Sequence, residues 1–172
     1  KDRPASIKAL VASLKTDPSF LPALIMLGDI HLDDKDHAKA TKILEAGFRL
    51  APHLTIVARL KQAWKSNDGH FIGRLSKLLV KVDGRQKRLA YYLVAEQARA
   101  AGMDGEVKRL LDKCKALSEL NSDSSDDNWP LWQCYSCKSV HEDWQAFCPA
   151  CDEFAPMIWQ HPAGATPLMK KK

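Results

Sequence analysis

Cys134, Cys137, Cys148 and Cys151 form two C-x2-C pairs separated by ten residues. Two residues between cysteines let a tight turn aim both sulfurs at one ion, and two such turns joined by a short hairpin complete a tetrahedral thiolate shell. Four protein ligands leave no open position, so the metal is expected to be structural rather than hydrolytic. Zinc is the first choice and iron the second, because zinc ribbons and rubredoxins share the four-thiolate shell. The Cys148-Pro149-Ala150-Cys151 turn and the nearby Trp132, Tyr135, Trp144 and Phe147 look rubredoxin-like, with a shorter gap than a true rubredoxin has.

Glycine often follows the second cysteine of such a turn, where the backbone is left-handed. Lys138 and Asp152 stand there instead; Asp tolerates that geometry better than most residues, and Lys138 can offset the negative charge of the shell. His141 and His161 read as loop histidines rather than rival ligands. Trp129, Trp144 and Trp159 are expected to cap the ribbon and dock it onto the rest of the chain. Cys114 stands alone inside a helical pattern and reads as a small packed residue. Four paired thiols and one isolated thiol suit a reducing compartment.

No P-loop, H-E-x-x-H, G-x-S-x-G or dinucleotide fingerprint is present, so no enzyme is indicated. The net charge of +5 divides unevenly. Residues 1–117 hold 22 Lys and Arg against 13 Asp and Glu, whereas residues 118–172 hold 4 against 8. The positives are scattered at helical spacing, which reads as a solvated face. An acidic ribbon argues against nucleic acid as a partner.

The elements that carry the cysteines come last in the chain; helices come first. Leu24-x2-Leu27-Gly28-x2-His31, then Ala40-x3-Leu44 and Pro52, follow the tetratricopeptide pattern. Gly28 and Ala40 let two antiparallel helices approach, with Leu24, Leu27, Ile43 and Leu44 in the seam. Asp33-Asp34-Lys35-Asp36 makes the turn between them. Pro18 lies one repeat length before Pro52, so residues 5–15 read as the closing helix of an earlier repeat, and the chain is expected to start within a repeat. A third, degenerate unit covers about 55–87, with helices 55–65 and 69–82 and Gln62 where a small residue belongs. A fourth covers about 85–117, with helices 86–100 and 105–117.

The expected architecture is all-α: a tetratricopeptide-like helical-hairpin solenoid over 1–117, an acidic linker at 118–128, a rubredoxin-like zinc ribbon over 129–162 and a disordered tail at 163–172. No apolar run is long enough to cross a bilayer. A solenoid offers a groove to a protein partner, and repeat geometry puts Ile25, Asp29, Arg59, Tyr92, Glu96 and Arg99 on its concave face.

Helical repeats followed by Trp132, Cys134, Cys137, Trp144, Cys148-Pro149, Cys151, Phe154, Trp159 and Pro162 resemble the C-terminal half of HemY-like proteins of alphaproteobacteria. The resemblance spans essentially the whole chain and is most specific in its cysteine-tryptophan part. It implies an inner-membrane protein anchored by N-terminal segments absent from this chain; the reduced four-thiol site places this portion on the cytoplasmic side. It also implies a scaffolding role nominally linked to haem biosynthesis. The LapB-like adaptors of lipopolysaccharide synthesis are the next most similar architecture.

Overall fold

A computed structural model describes residues 2–82, 84–120, 131–141, 144–154 and 157–160. The acidic stretch from 121, Trp129, His161, Pro162 and the tail 163–172 lie outside the described residues. The chain divides into two compact units, Lys1–Asn121 and Ser122–Lys172. The first is helical, and the second holds a small sheet and the four cysteines, Cys134 at the end of a strand and the other three on turns.

Seven helices build the first unit: α1 (Arg3–Thr16), α2 (Leu21–Asp33), α3 (His37–Leu50), α4 (Leu54–Trp64), α5 (Asp68–Leu79), α6 (Gly84–Ala100) and α7 (Asp104–Leu120). Their starts are set by local chemistry. The Asp36 carboxylate accepts from the Lys39 amide at 3.0 Å and the Asn67 side-chain oxygen from the His70 amide at 3.0 Å, each satisfying a helix N–H that has no partner within the helix. His53 Nδ1 accepts from the Thr55 amide at the start of α4. The turn before α3 needs a left-handed residue, supplied by Lys35 at φ 58°. α7 continues to Leu120, three residues past the boundary expected at 117.

The α2–α3 hairpin shows why its pattern is selective. A Cβ on Gly28 would lie 2.6 Å from Leu44 Cδ2 and 3.0 Å from Leu44 Cγ. Leu44 and Ala40 are fully buried, so Leu44 has nowhere to retreat. Leu21, Leu24, Leu27 and Phe48 complete this seam, and Ile56, Val57 and Leu60 of α4 extend the core along the array.

α1 packs on α2, α3 on α4, α5 on α6, and α6 on α7. Alternate helices are joined by polar ties: Asp29 of α2 to Arg59 of α4, Glu45 of α3 to Arg74 of α5, and Ser76 of α5 to Glu106 of α7. The partners stand 29 or 30 residues apart in each case, the footprint of a repeating array. The expected third hairpin, α4 with α5, is the exception, because these two helices approach far less closely than the other consecutive pairs. Large side chains occupy the space between them: Trp64 meets Phe71 edge-on at 5.6 Å, and the Arg74 guanidinium lies 3.9 Å from the Trp64 ring centre.

The second unit contains β1 (Leu131–Cys134), β2 (Val140–His141) and β3 (Met157–Gln160) in the antiparallel order β2-β1-β3. Register places Trp132 opposite both His141 and Trp159, and Cys134 opposite Met157. The third strand exceeds the simple hairpin expected from the cysteine spacing. Trp132, Gln133, Cys134, Cys148 and Met157 are the buried residues described in this unit.

Gly28→Val should force Leu44 out of its rotamer and lower stability by about 1–3 kcal/mol, as overpacked cores do. Thermal unfolding of the full chain checks this, and an unchanged midpoint would mean that the seam is looser than described.

Candidate metal centre

Each cysteine pair is shaped by the same two backbone hydrogen bonds. In the first turn the Lys138 amide donates to the Cys134 carbonyl at 3.0 Å and the Cys134 amide to the Ser139 carbonyl at 2.9 Å. In the second, the Asp152 amide donates to the Cys148 carbonyl at 2.8 Å and the Cys148 amide to the Glu153 carbonyl at 3.0 Å. Both turns pass through a left-handed residue, Lys138 at φ 62° and Asp152 at φ 56°. The absence of glycine has not changed the turn. The Gln133 side-chain amide braces the first turn by donating to the Lys138 carbonyl at 3.1 Å, and the Lys138 ammonium lies 4.5 Å from the Tyr135 ring centre.

These turns bring the four Sγ atoms within 4.8 Å of one another. Two contacts cross between the turns, Cys134 to Cys151 and Cys137 to Cys148, each at 3.6 Å. A tetrahedron with metal–sulfur bonds of about 2.3 Å has edges of about 3.8 Å, so the sulfurs stand close to the spacing a four-thiolate ion requires. Cys134 and Cys148 are buried, while Cys137 and Cys151 are exposed. The donor set fits zinc or iron.

The crowding of the four sulfurs also pulls their titration apart. The Ser139 hydroxyl and amide draw Cys137 below the usual thiol range. The Ser139 hydroxyl, with the amides of Ala150 and Cys151, draws Cys148 down to about 5. At Cys151 the Glu153 amide pulls downward, but desolvation and the three neighbouring sulfurs outweigh it and hold the thiol up at about 12. Sulfurs this close cannot all ionise unless a cation sits among them.

Ser139, which the cysteine spacing gives no reason to single out, lies against the cluster. Its Oγ is 3.0 Å from Cys137 Sγ, 3.3 Å from Cys148 Sγ and 2.9 Å from His141 Nε2. His141 is therefore more than a loop histidine: it ends β2, with Nε2 3.8 Å from Cys148 Sγ. The i, i+2 spacing of Ser139 and His141 next to a cysteine turn is the signal that places both on one side of an extended segment.

Cys114 packs as a buried residue between α6 and α7, its Sγ 3.5 Å from the Arg88 carbonyl. Burial raises its pKa to about 11, so it stays a thiol at neutral pH.

The concave-face candidates fall on the first helix of their units. Ile25 and Asp29 lie on α2, Arg59 on α4, and Tyr92, Glu96 and Arg99 on α6. Two of the charge sets are internally paired. Arg59 grips Asp29 through Nε to Oδ1 at 2.7 Å and a second nitrogen to Oδ2 at 3.3 Å, and Arg99 pairs with Glu96 one turn away. Ile25 and Tyr92 are half-buried.

No protein-family model matches this sequence, and no curated protein matches it at a significant level.

In the chain stripped of metal by a chelator, four thiols should react quickly with a thiol reagent and Cys114 only on unfolding. Five thiols reacting at one rate would remove the packing role given to Cys114. In the loaded chain, lowering the pH should release the metal, because the ligands bind only as thiolates and protons compete for them.

Proposed function

We propose that the chain is a non-enzymatic interaction scaffold: a helical array that receives a protein partner, followed by a ribbon held by one structural zinc ion. The observation that carries the metal part is the closed set of four sulfurs on two identically bonded turns. Four protein ligands fill a tetrahedron, so substrate has no place on the ion. Among the described residues of the unit around it, few side chains are buried. Metal binding of roughly 10–16 kcal/mol apparent at neutral pH is then the main source of its folding free energy.

The scaffold part is supported by the array itself. Ile25 and Asp29 are one turn apart on α2, and the Asp29–Arg59 pair carries that stripe to α4. Tyr92, Glu96 and Arg99 share a stripe on α6 by helical spacing. A row of half-exposed charged and aromatic side chains on successive first helices suits recognition of a peptide or helix. The inner-membrane setting and the link to haem biosynthesis rest on the HemY-like resemblance alone, and the cytoplasmic side on the reduced thiols of the cluster.

Three measurements test this reading. Purified full-length chain should contain one zinc per chain and be colourless; a red iron protein with a reversible redox couple would replace the scaffold with electron transfer. Replacing Cys134 and Cys148 by Ala should abolish metal binding and alter tryptophan fluorescence while the helical circular dichroism persists. For the partner surface, exchanging the ion pair (Asp29→Arg with Arg59→Asp) keeps the pairing but inverts its layout. Together with Arg99→Glu it should reduce partner recovery from membranes, and unchanged recovery would sink the groove assignment.

A further inference from the structure

The hydrogen positions around Ser139 follow from what its neighbours can accept. Metal-bound thiolates accept hydrogen bonds and donate none. The single Ser139 hydroxyl hydrogen therefore turns to the Cys137–Cys148 edge, where Cys137 is nearer at 3.0 Å and Cys148 stands at 3.3 Å. The serine oxygen then presents lone pairs to His141 Nε2 at 2.9 Å. Two facing lone pairs at that distance would repel, so the histidine must carry a hydrogen on Nε2. The chain runs one way, from His141 Nε2–H to Ser139 Oγ and from Ser139 O–H to the sulfur edge.

The second turn has no equivalent. The repeated backbone bonds place Glu153 where the first turn has Ser139, and an ionised carboxylate has no hydrogen to give a thiolate. Both turns expose one ligand, Cys137 and Cys151, but only Cys137 has a side-chain hydroxyl against its sulfur among the described residues. A hydrogen bond to a charged sulfur withdraws electron density and is about twice as strong as a neutral one.

We infer that Ser139, oriented by His141, is a positioning residue that donates to the Cys137–Cys148 edge of the metal shell. It leaves Cys151 as the exposed ligand most open to electrophiles. This rests on the four-thiolate metal reading proposed above.

The test uses the full chain loaded with cobalt(II) or zinc. Ser139→Ala keeps the turn, because the carbonyl that receives the Cys134 amide is backbone. It should shift the thiolate-to-cobalt charge-transfer band to longer wavelength, as the freed sulfurs become better donors, and lower zinc affinity on the order of tenfold or more. Ser139→Thr should restore both, and His141→Phe should give a smaller shift in the same direction. Iodoacetamide should modify Cys151 ahead of Cys137 in the zinc-loaded chain, and both at comparable rates in Ser139→Ala. If the parent chain binds one cobalt but Ser139→Ala leaves the band and the alkylation order unchanged, this inference is overturned and the metal reading survives. A parent chain that binds no cobalt overturns both.

Discussion

Mutual repulsion of four thiolates is the constraint on which the second unit depends. Their sulfurs lie within 4.8 Å of one another, a spacing that only a central cation makes tolerable for the ionised forms. The backbone accepts a cost to create that spacing. Lys138 and Asp152 are both left-handed without being glycine, at roughly 1–2 kcal/mol each. Binding of a structural zinc ion, at roughly 10–16 kcal/mol apparent, would outweigh that several times over. The sheet contributes position more than energy: β1 delivers Cys134, and its register with β2 and β3 fixes where the first turn leaves the sheet.

In the helical unit the governing term is steric. Gly28 faces a buried Leu44 with no room for a methyl group, and that close approach lets α2 and α3 share one seam. The polar ties between alternate helices are a weaker force. Asp29 and Arg59 are about one-third exposed, with side-chain accessibilities of 39% and 32%, and pairs in that setting are worth about 1 kcal/mol or less. Their recurrence at almost constant separation suits a role in fixing how successive hairpins rotate against each other, while the apolar seams supply the stability.

Much of this was legible in the residues because the relevant rules are local. Two C-x2-C pairs dictate a four-sulfur cluster whatever surrounds them. Gly28 and Ala40 announce a close helix pair, and Asp36 and Asn67 cap by accepting from backbone amides only three residues further on. What escaped was set by distance along the chain. Met157–Gln160 holds three apolar residues and a glutamine, too short a run for periodicity to distinguish strand from helix end, and only β1 makes it a strand. The open α4–α5 seam depends on Trp64, Phe71 and Arg74 stacking together. The Asp29–Arg59 pair joins residues thirty positions apart, so residues selected as free to meet a partner turn out to hold each other. Ser139 was invisible for a simpler reason, since serine beside a cysteine turn is common and only geometry brings its hydroxyl to the sulfurs.

The duplicated backbone bonding of the two cysteine turns bears on how an ion gets in. Each turn closes on itself through bonds of its own, so each can present a two-pronged claw before any metal arrives. The sulfur contacts that cross between claws, Cys134 to Cys151 and Cys137 to Cys148, are the ones a bound ion would hold together. Capture of an ion would then be a two-stage event: one claw seizes the cation, and the tethered second claw arrives at high effective concentration. Release would retrace that path, one claw opening while the other still holds, so that exchange from a closed site would be slow and ordered.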